Sequence, residues 1–145
     1  MTAALKRVLY TATATADGGR QGRSVSDDGR LDVTLSSPSA MGGDDGPGTN
    51  PEQLFAAGYA ACFHSALKLV AQQAKADADG STVTASVGIG PFAEAVGYGL
   101  TVGLSVALPG VPDRDAALKV VESAHAVCPY SNAVRGNVEV TLSVV

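Results

Sequence analysis

NPEQLFAAGYAACFHSALKLVAQQAK, residues 50–75, is the stretch around which the rest of the chain must fold. Asn50 can cap a helix, Pro51 suits the first helical position, and Gln53 stands where a capping box takes Glu or Gln. From there Leu54, Phe55, Ala57, Tyr59, Ala60, Ala61, Phe63, Ala66, Leu67, Leu69 and Val70 cover nearly every side of a helix running to about Lys75. A helix that is apolar all round belongs in an interior. Its one internal break is Gly58, which costs about 1 kcal/mol relative to Ala in a helix interior. Such a helix is too apolar for the surface of a 145-residue monomer. It is expected between sheets or against a second copy of itself.

Around this helix the pattern is that of strands. Residues 7–16 (RVLYTATATA) alternate bulky and small side chains and carry several Thr, so they read as a strand. Asp17-Gly18-Gly19 is a turn signal, Arg23 to Ser26 a short return strand, and Asp27-Asp28-Gly29 a second turn. In residues 30–36 (RLDVTLS), Leu31, Val33 and Leu35 fall on one face, completing a three-stranded meander. Residues 37–49 (SPSAMGGDDGPGT) hold no core pattern and form a long loop, functional or a mere linker.

Beyond the helix, residues 82–90 and 98–108 alternate as two strands, with Pro91, Gly97 and Gly99 at or near their junction. Asp113 can cap a second helix from Arg114 to Val127, with Ala117, Leu118, Val121, Ala124 and His125 on one stripe. Cys128-Pro129 ends it, because the residue before Pro avoids the helical region. Residues 137–145 are a final strand. The order β-β-β-α-β-β-α-β predicts an α+β chain of one domain, residues 1–145.

Composition narrows the function. The 46% hydrophobic and 17% charged residues supply a core and exclude disorder. A net charge of -4 leaves no basic excess to neutralise phosphates, so nucleic acid is not an expected partner. Lys6 and Arg7 interrupt the apolar residues near the N-terminus, unlike a signal peptide. No run reaches the roughly 18 apolar residues of a membrane span. No membrane association and a cytoplasmic location are expected.

Two cysteines, Cys62 and Cys128, carry the chemical interest. In a reducing compartment a pair is inert, metal-bound or redox-active rather than a permanent staple. Cys62 lies within the first helix, and Cys128 at the end of the second, before a Pro. A thiol at a helix end can move, whereas one in mid-helix cannot without unfolding a turn, a division that suits an attacking and a resolving thiol. Zinc is the rival, since Cys62, His64, His125 and Cys128 form a known ligand set. However, residues two apart on a helix point about 200° apart, so Cys62 and His64 diverge. An attacking thiol is ionised at neutral pH when a nearby cation lowers its pKa. Arg20 and Arg23 flank the first hairpin turn; Arg7, Arg30, Arg114 and Arg135 are the others, and the residue pattern does not choose among them. Glu52 is an acid in a first helical turn, where the macrodipole favours it.

Gly48-Thr-Asn-Pro-Glu-Gln-Leu-Phe-Ala-Ala-Gly-Tyr-Ala-Ala-Cys-Phe63 strongly resembles the organic hydroperoxide resistance (Ohr) branch of the OsmC family. So do Val127-Cys-Pro-Tyr-Ser-Asn-Ala133 with Arg135-Gly-Asn137, the opening Tyr10 to Arg20, and Val87-Gly-Ile-Gly90. The resemblance covers essentially the whole chain. It implies sheets wrapping central helices in an intertwined homodimer, with Cys62 peroxidatic and Cys128 resolving. It also implies that Arg20 contacts thiolate and peroxide, oriented by a salt bridge from Glu52. The implied activity is cofactor-free reduction of alkyl and lipid hydroperoxides, recycled by a dithiol such as a lipoyl-bearing protein or dihydrolipoamide. The alternative on this fold is a binding protein holding an apolar ligand without turnover. His64 departs from the commonest pattern of the family, in which many members carry an apolar residue there. Glu52 and Cys62 lie about 15 Å apart along a straight helix. Either the helix breaks near Gly58, or Glu52 serves the Cys62 of a partner chain.

Overall fold

The computed structural model describes residues 3–145, which divide into two compact units, one ending at Pro51 and the other spanning Glu52–Val145. The first unit holds an antiparallel meander, β1 (Ala14–Asp17), β2 (Arg23–Ser26) and β3 (Asp32–Thr34), in the order β1-β2-β3. The β1–β2 turn contains a short 3-10 segment, Gly19–Gln21, which carries Arg20. Gly18 must be glycine: its φ is +77°, and a Cβ there would sit 2.9 Å from the Cα of Gly22.

Strands expected over 7–16 and 30–36 are shorter in the structure, because their common partner β2 has only four residues. Residues 7–13 lie outside any strand, and Leu5, Val8, Leu9 and Tyr10 are exposed. The loop at 37–49 has no strand or α-helix. It is folded on itself, with the Asp45 carboxylate accepting from the Ser39 N–H at 2.6 Å and Leu35 bridging Thr49.

The second unit is built on α1 (Pro51–Gln73), β4 (Thr82–Pro91), β5 (Tyr98–Ala107), α2 (Arg114–Val127), α3 (Pro129–Val134) and β6 (Glu139–Val144). β4 and β5 form an antiparallel hairpin, and β6 joins β5 in parallel. A parallel neighbour requires a long crossover, here supplied by α2 and α3. Register aligns Val87–Val102–Val140, Ala85–Leu104–Leu142 and Val83–Val106–Val144 as three apolar rows on one sheet face. They join the core that contains Tyr59, Phe63 and Leu67 of α1 and Ala117, Val120, Val121 and Ala124 of α2.

α1 runs unbroken through Gly58, so the expected alternative of a break there is not realised. Its end is a Schellman closure: Ala76 N–H donates to Ala71 O at 2.8 Å and Lys75 N–H to Gln72 O at 3.2 Å, with Lys75 left-handed at φ 56°. Only one face of α1 is buried; Ala57, Ala61 and Leu69 on its other side are exposed. By length and composition α1 is apolar enough to cross a membrane, with mean hydropathy 1.4 over its best window. It lacks a continuous apolar run of that length, because His64, Ser65 and Lys68 interrupt its apolar residues. Its buried face packs in the protein's own core.

α2 begins where expected, with the Asp113 side chain accepting from the Asp115 N–H. Its inward stripe includes Val120, while Leu118 is 36% exposed. The sequence reading placed no helix after Cys128-Pro129, yet α3 starts there: the same Pro that stops α2 sits at the first position of the next helix.

Candidate active site

Cys62 sits in the middle of α1, anchored by Tyr59 and Phe63 on the buried face. Cys128 serves both as the end of α2 and the start of α3, with extended backbone at φ −63° and ψ 126°. That junction turns the chain back over α1. The two sulfurs, 66 residues apart in sequence, stand 3.7 Å apart, with both thiols free. Cys128 is fully buried and Cys62 partly exposed. A disulfide needs about 2.05 Å between sulfurs, so closure requires an approach of roughly 1.7 Å.

The environment favours the neutral Cys62 thiol. Burial pushes its pKa up, and the Cys128 thiol adds to the rise; the Tyr130 N–H, donating to the sulfur, opposes them. Tyr130 is the second residue of α3, where a backbone N–H has no helical acceptor.

Phe55, Tyr59 and Tyr130 cluster beside this sulfur, with ring centroids 6.2, 6.2 and 5.7 Å apart. Phe55, Tyr59 and Cys62 follow helical spacing down one side of α1. Beneath them runs a polar chain: the Tyr59 hydroxyl lies 2.6 Å from Ser131 Oγ, which lies 2.8 Å from His125 Nδ1. Burial and then Arg135 hold the His125 imidazole below its ordinary pKa. Burial raises that of Tyr59 despite the Ser131 bond. Residue pattern alone missed this chain and Tyr130. The signal was present in Pro129, whose position reads equally well as a helix start.

The four residues weighed as zinc ligands do not converge. His64 Nε2 is bonded to Ser81 Oγ at 2.9 Å, and His125 is turned to Ser131. Among the described residues no three His, Cys, Asp or Glu side chains are grouped to hold a metal.

Among the candidate cations, Arg23 is held by Asp32 through a two-bond fork of 2.7 and 2.5 Å. Arg30 is 3.8 Å from Asp28. Arg135 donates to Asn132 and to the His125 carbonyl. Arg20 lies in the β1–β2 turn of the first unit, and Glu52 in the first turn of α1.

A family model described as OsmC-like protein matches residues 42–143. The chain is 55% identical to the organic hydroperoxide resistance protein of Xanthomonas axonopodis pv. citri, over 95% of this chain and 96% of that one. The chain belongs to the Ohr branch of the OsmC family. Solved OsmC/Ohr structures share its fold. That of an organic hydroperoxide resistance protein from Elizabethkingia anophelis superposes with a TM-score of 0.88 at 51% identity, covering 95% of this chain and 97% of that one. OhrB of Bacillus subtilis superposes with a TM-score of 0.84 at 44% identity, covering 95% and 100%. The expected α+β OsmC/Ohr-like architecture is therefore the architecture of this chain, with α3 added to the element order.

Proposed function

We propose that this protein protects against organic hydroperoxides as a thiol peroxidase, reducing alkyl and lipid hydroperoxides to alcohols. The observation that carries this reading is the 3.7 Å separation of a fixed mid-helix sulfur and a sulfur at a helix junction. The names of the Xanthomonas and Bacillus relatives support the substrate class.

In this cycle the Cys62 thiolate attacks the terminal peroxide oxygen, the O–O bond breaks, and the alkoxide leaves as alcohol after taking a proton. Sulfur loses two electrons and becomes a sulfenic acid. Cys128 sulfur then attacks Cys62 sulfur; the S–O bond breaks, and the hydroxide departs as water with the Cys128 proton. A dithiol, for which a lipoyl group on a protein or dihydrolipoamide is our choice, reduces the disulfide by exchange. The reaction uses no further cofactor. Apolar contacts beside the sulfur favour an alkyl tail, each buried methylene contributing about 0.8 kcal/mol. Phe55 and Tyr130, neither of them fully buried, suit such contacts.

Arg20 is our candidate for the cation that ionises Cys62 and holds the separating oxygens, oriented by Glu52. The continuous α1 keeps Glu52 and Cys62 of one chain about 15 Å apart along its axis. We therefore infer a homodimer in which the Glu52 of one chain serves the Cys62 of the other. The exposed apolar residues of α1 and of the N-terminal segment suit such a partner. A cytoplasmic location completes the reading, with no nucleic acid or membrane as partner.

The test is one equivalent of tert-butyl hydroperoxide, followed by intact-mass and peptide analysis. The expected result is a loss of two hydrogens mapped to Cys62 and Cys128, and no peroxide consumption by Cys62→Ser. Full activity in Cys62→Ser would overturn the proposal.

A further inference from the structure

We propose that Tyr59 and Ser131, backed by His125, form a positioning clamp that sets the reach of Cys128 toward Cys62, and so the rate of disulfide closure. The inference rests on the peroxidase reading and adds residues that do not touch the substrate.

The geometry is a ladder of two rungs. Tyr59 lies three residues before Cys62 on α1, and Ser131 three residues after Cys128 at the start of α3. Tyr59 and Cys62 share a face of α1, and Cys128 and Ser131 are the N-cap and third residues of α3. The 2.6 Å bond from Tyr59 to Ser131 therefore joins the same two segments as the 3.7 Å sulfur pair. Tyr59, Ser131 and Cys128 are all 0% exposed, so water does not compete for these groups. A Ser hydroxyl has one proton and two lone pairs; Ser131 Oγ uses them on Tyr59 and on His125 Nδ1 at 2.8 Å. One oxygen thus ties α3 to both α1 and α2.

Closure must come from the Cys128 side. Cys62 is held by the backbone ladder of a 23-residue helix, whereas Cys128 is outside helical geometry between two helices. The moving piece is α3, six residues long. Its far end is held by Arg135, donating to Asn132 and to the His125 carbonyl. Its near end is held by Ser131. With the near end released, Cys128 samples positions out of range of Cys62. A waiting sulfenic acid then meets a second hydroperoxide, which transfers an oxygen to it and leaves as alcohol, giving the sulfinic acid. The clamp sets how the sulfenic acid partitions between disulfide and sulfinic acid.

Tyr59→Phe keeps the ring and removes the hydroxyl; Ser131→Ala removes both bonds. Two measurements apply. Equilibration in oxidised and reduced dithiothreitol gives the effective concentration of one thiol toward the other, without any peroxide. Stopped-flow with tert-butyl hydroperoxide separates the peroxide step from closure, and mass spectrometry gives the sulfinic fraction. In Tyr59→Phe, effective concentration and closure rate are expected to fall about tenfold, the scale of one buried hydrogen bond. Ser131→Ala is expected to fall further, with more sulfinic acid in both variants and an unchanged peroxide step. Unchanged closure in both variants overturns the clamp. So does a parallel fall of the peroxide step, closure and thermal midpoint, which marks general loss of structure. If the wild type ignores tert-butyl hydroperoxide while effective concentration still falls in the variants, the peroxidase reading fails and the clamp stands.

Discussion

A Cβ added to Gly58 would lie 3.0 Å from the hydroxyl oxygen of Tyr130 and 3.2 Å from its ring. The glycine serves the approach of α3 to α1 and does not bend the helix. Ala at this position gains about 1 kcal/mol in helix propensity, and the 40% exposed Tyr130 ring can shift slightly to admit it. Gly58→Ala is therefore expected to stay within about 1 kcal/mol of wild type, while Gly58→Val loses about 1–3 kcal/mol to overpacking. Urea denaturation of both variants measures this.

The Cys62 thiol is pushed up first by burial and then by Cys128. A catalytic thiolate at neutral pH thus depends on a cation that outweighs both. The pH profile of Cys62 alkylation by iodoacetamide is expected to have its midpoint below the ordinary thiol value in wild type and above it in Arg20→Ala. Alkylation at pH 7 slows about tenfold for each unit of upward movement. Arg20→Lys restores part of the rate. A midpoint that does not move in Arg20→Ala removes Arg20 from the mechanism.

His125 has its pKa lowered in the folded protein by burial and by Arg135. Below the ordinary imidazole value of 6.5 the unfolded chain binds a proton that the native chain does not. Its contribution to stability is fully present above that value. It is lost as pH falls from there through the native value. Urea midpoints between pH 5 and 7, a span chosen around the ordinary imidazole range, are expected to fall more steeply for wild type than for His125→Asn. Equal slopes would show that the imidazole protonates freely in the native state.

An unbroken α1 separates Glu52 from Cys62 of its own chain, so the two defects should complement across a dimer. In the proposed homodimer, co-expressed Cys62→Ser and Glu52→Ala chains would pair into mixed dimers with one intact site. Their peroxidase activity is expected to exceed that of either variant alone, reaching up to about half the wild-type rate, as non-additive catalytic groups allow. Activity no higher than the sum of the two separate variants would place Glu52 outside the partner's site.

Much of this was legible in local pattern. Asp113 marks the start of α2 because a carboxylate there can accept a backbone N–H, a property of three consecutive residues. The alternation of Val102, Leu104 and Val106 marks an inward strand face in the same way. The limits of β1 and β3 were not legible, because a strand ends where its partner ends, and β2 is short. Pro129 was ambiguous, since one fixed φ angle serves equally to end α2 and to begin α3.

The amino-acid order by itself determined most of the elements and the candidacy of Cys62 and Cys128, and its family resemblance added Arg20 and Glu52, because helix and strand periods and short motifs are encoded within a few neighbouring residues. Only the tertiary structure decided that Cys128 meets Cys62 at 3.7 Å, and that Ser131 joins Tyr59 to His125 beneath them. Those contacts bring together residues as many as 72 positions apart, and their distances follow from how α3 packs on α1. No local pattern specifies that packing, because it is set by the shapes of side chains from segments that meet only in the folded core.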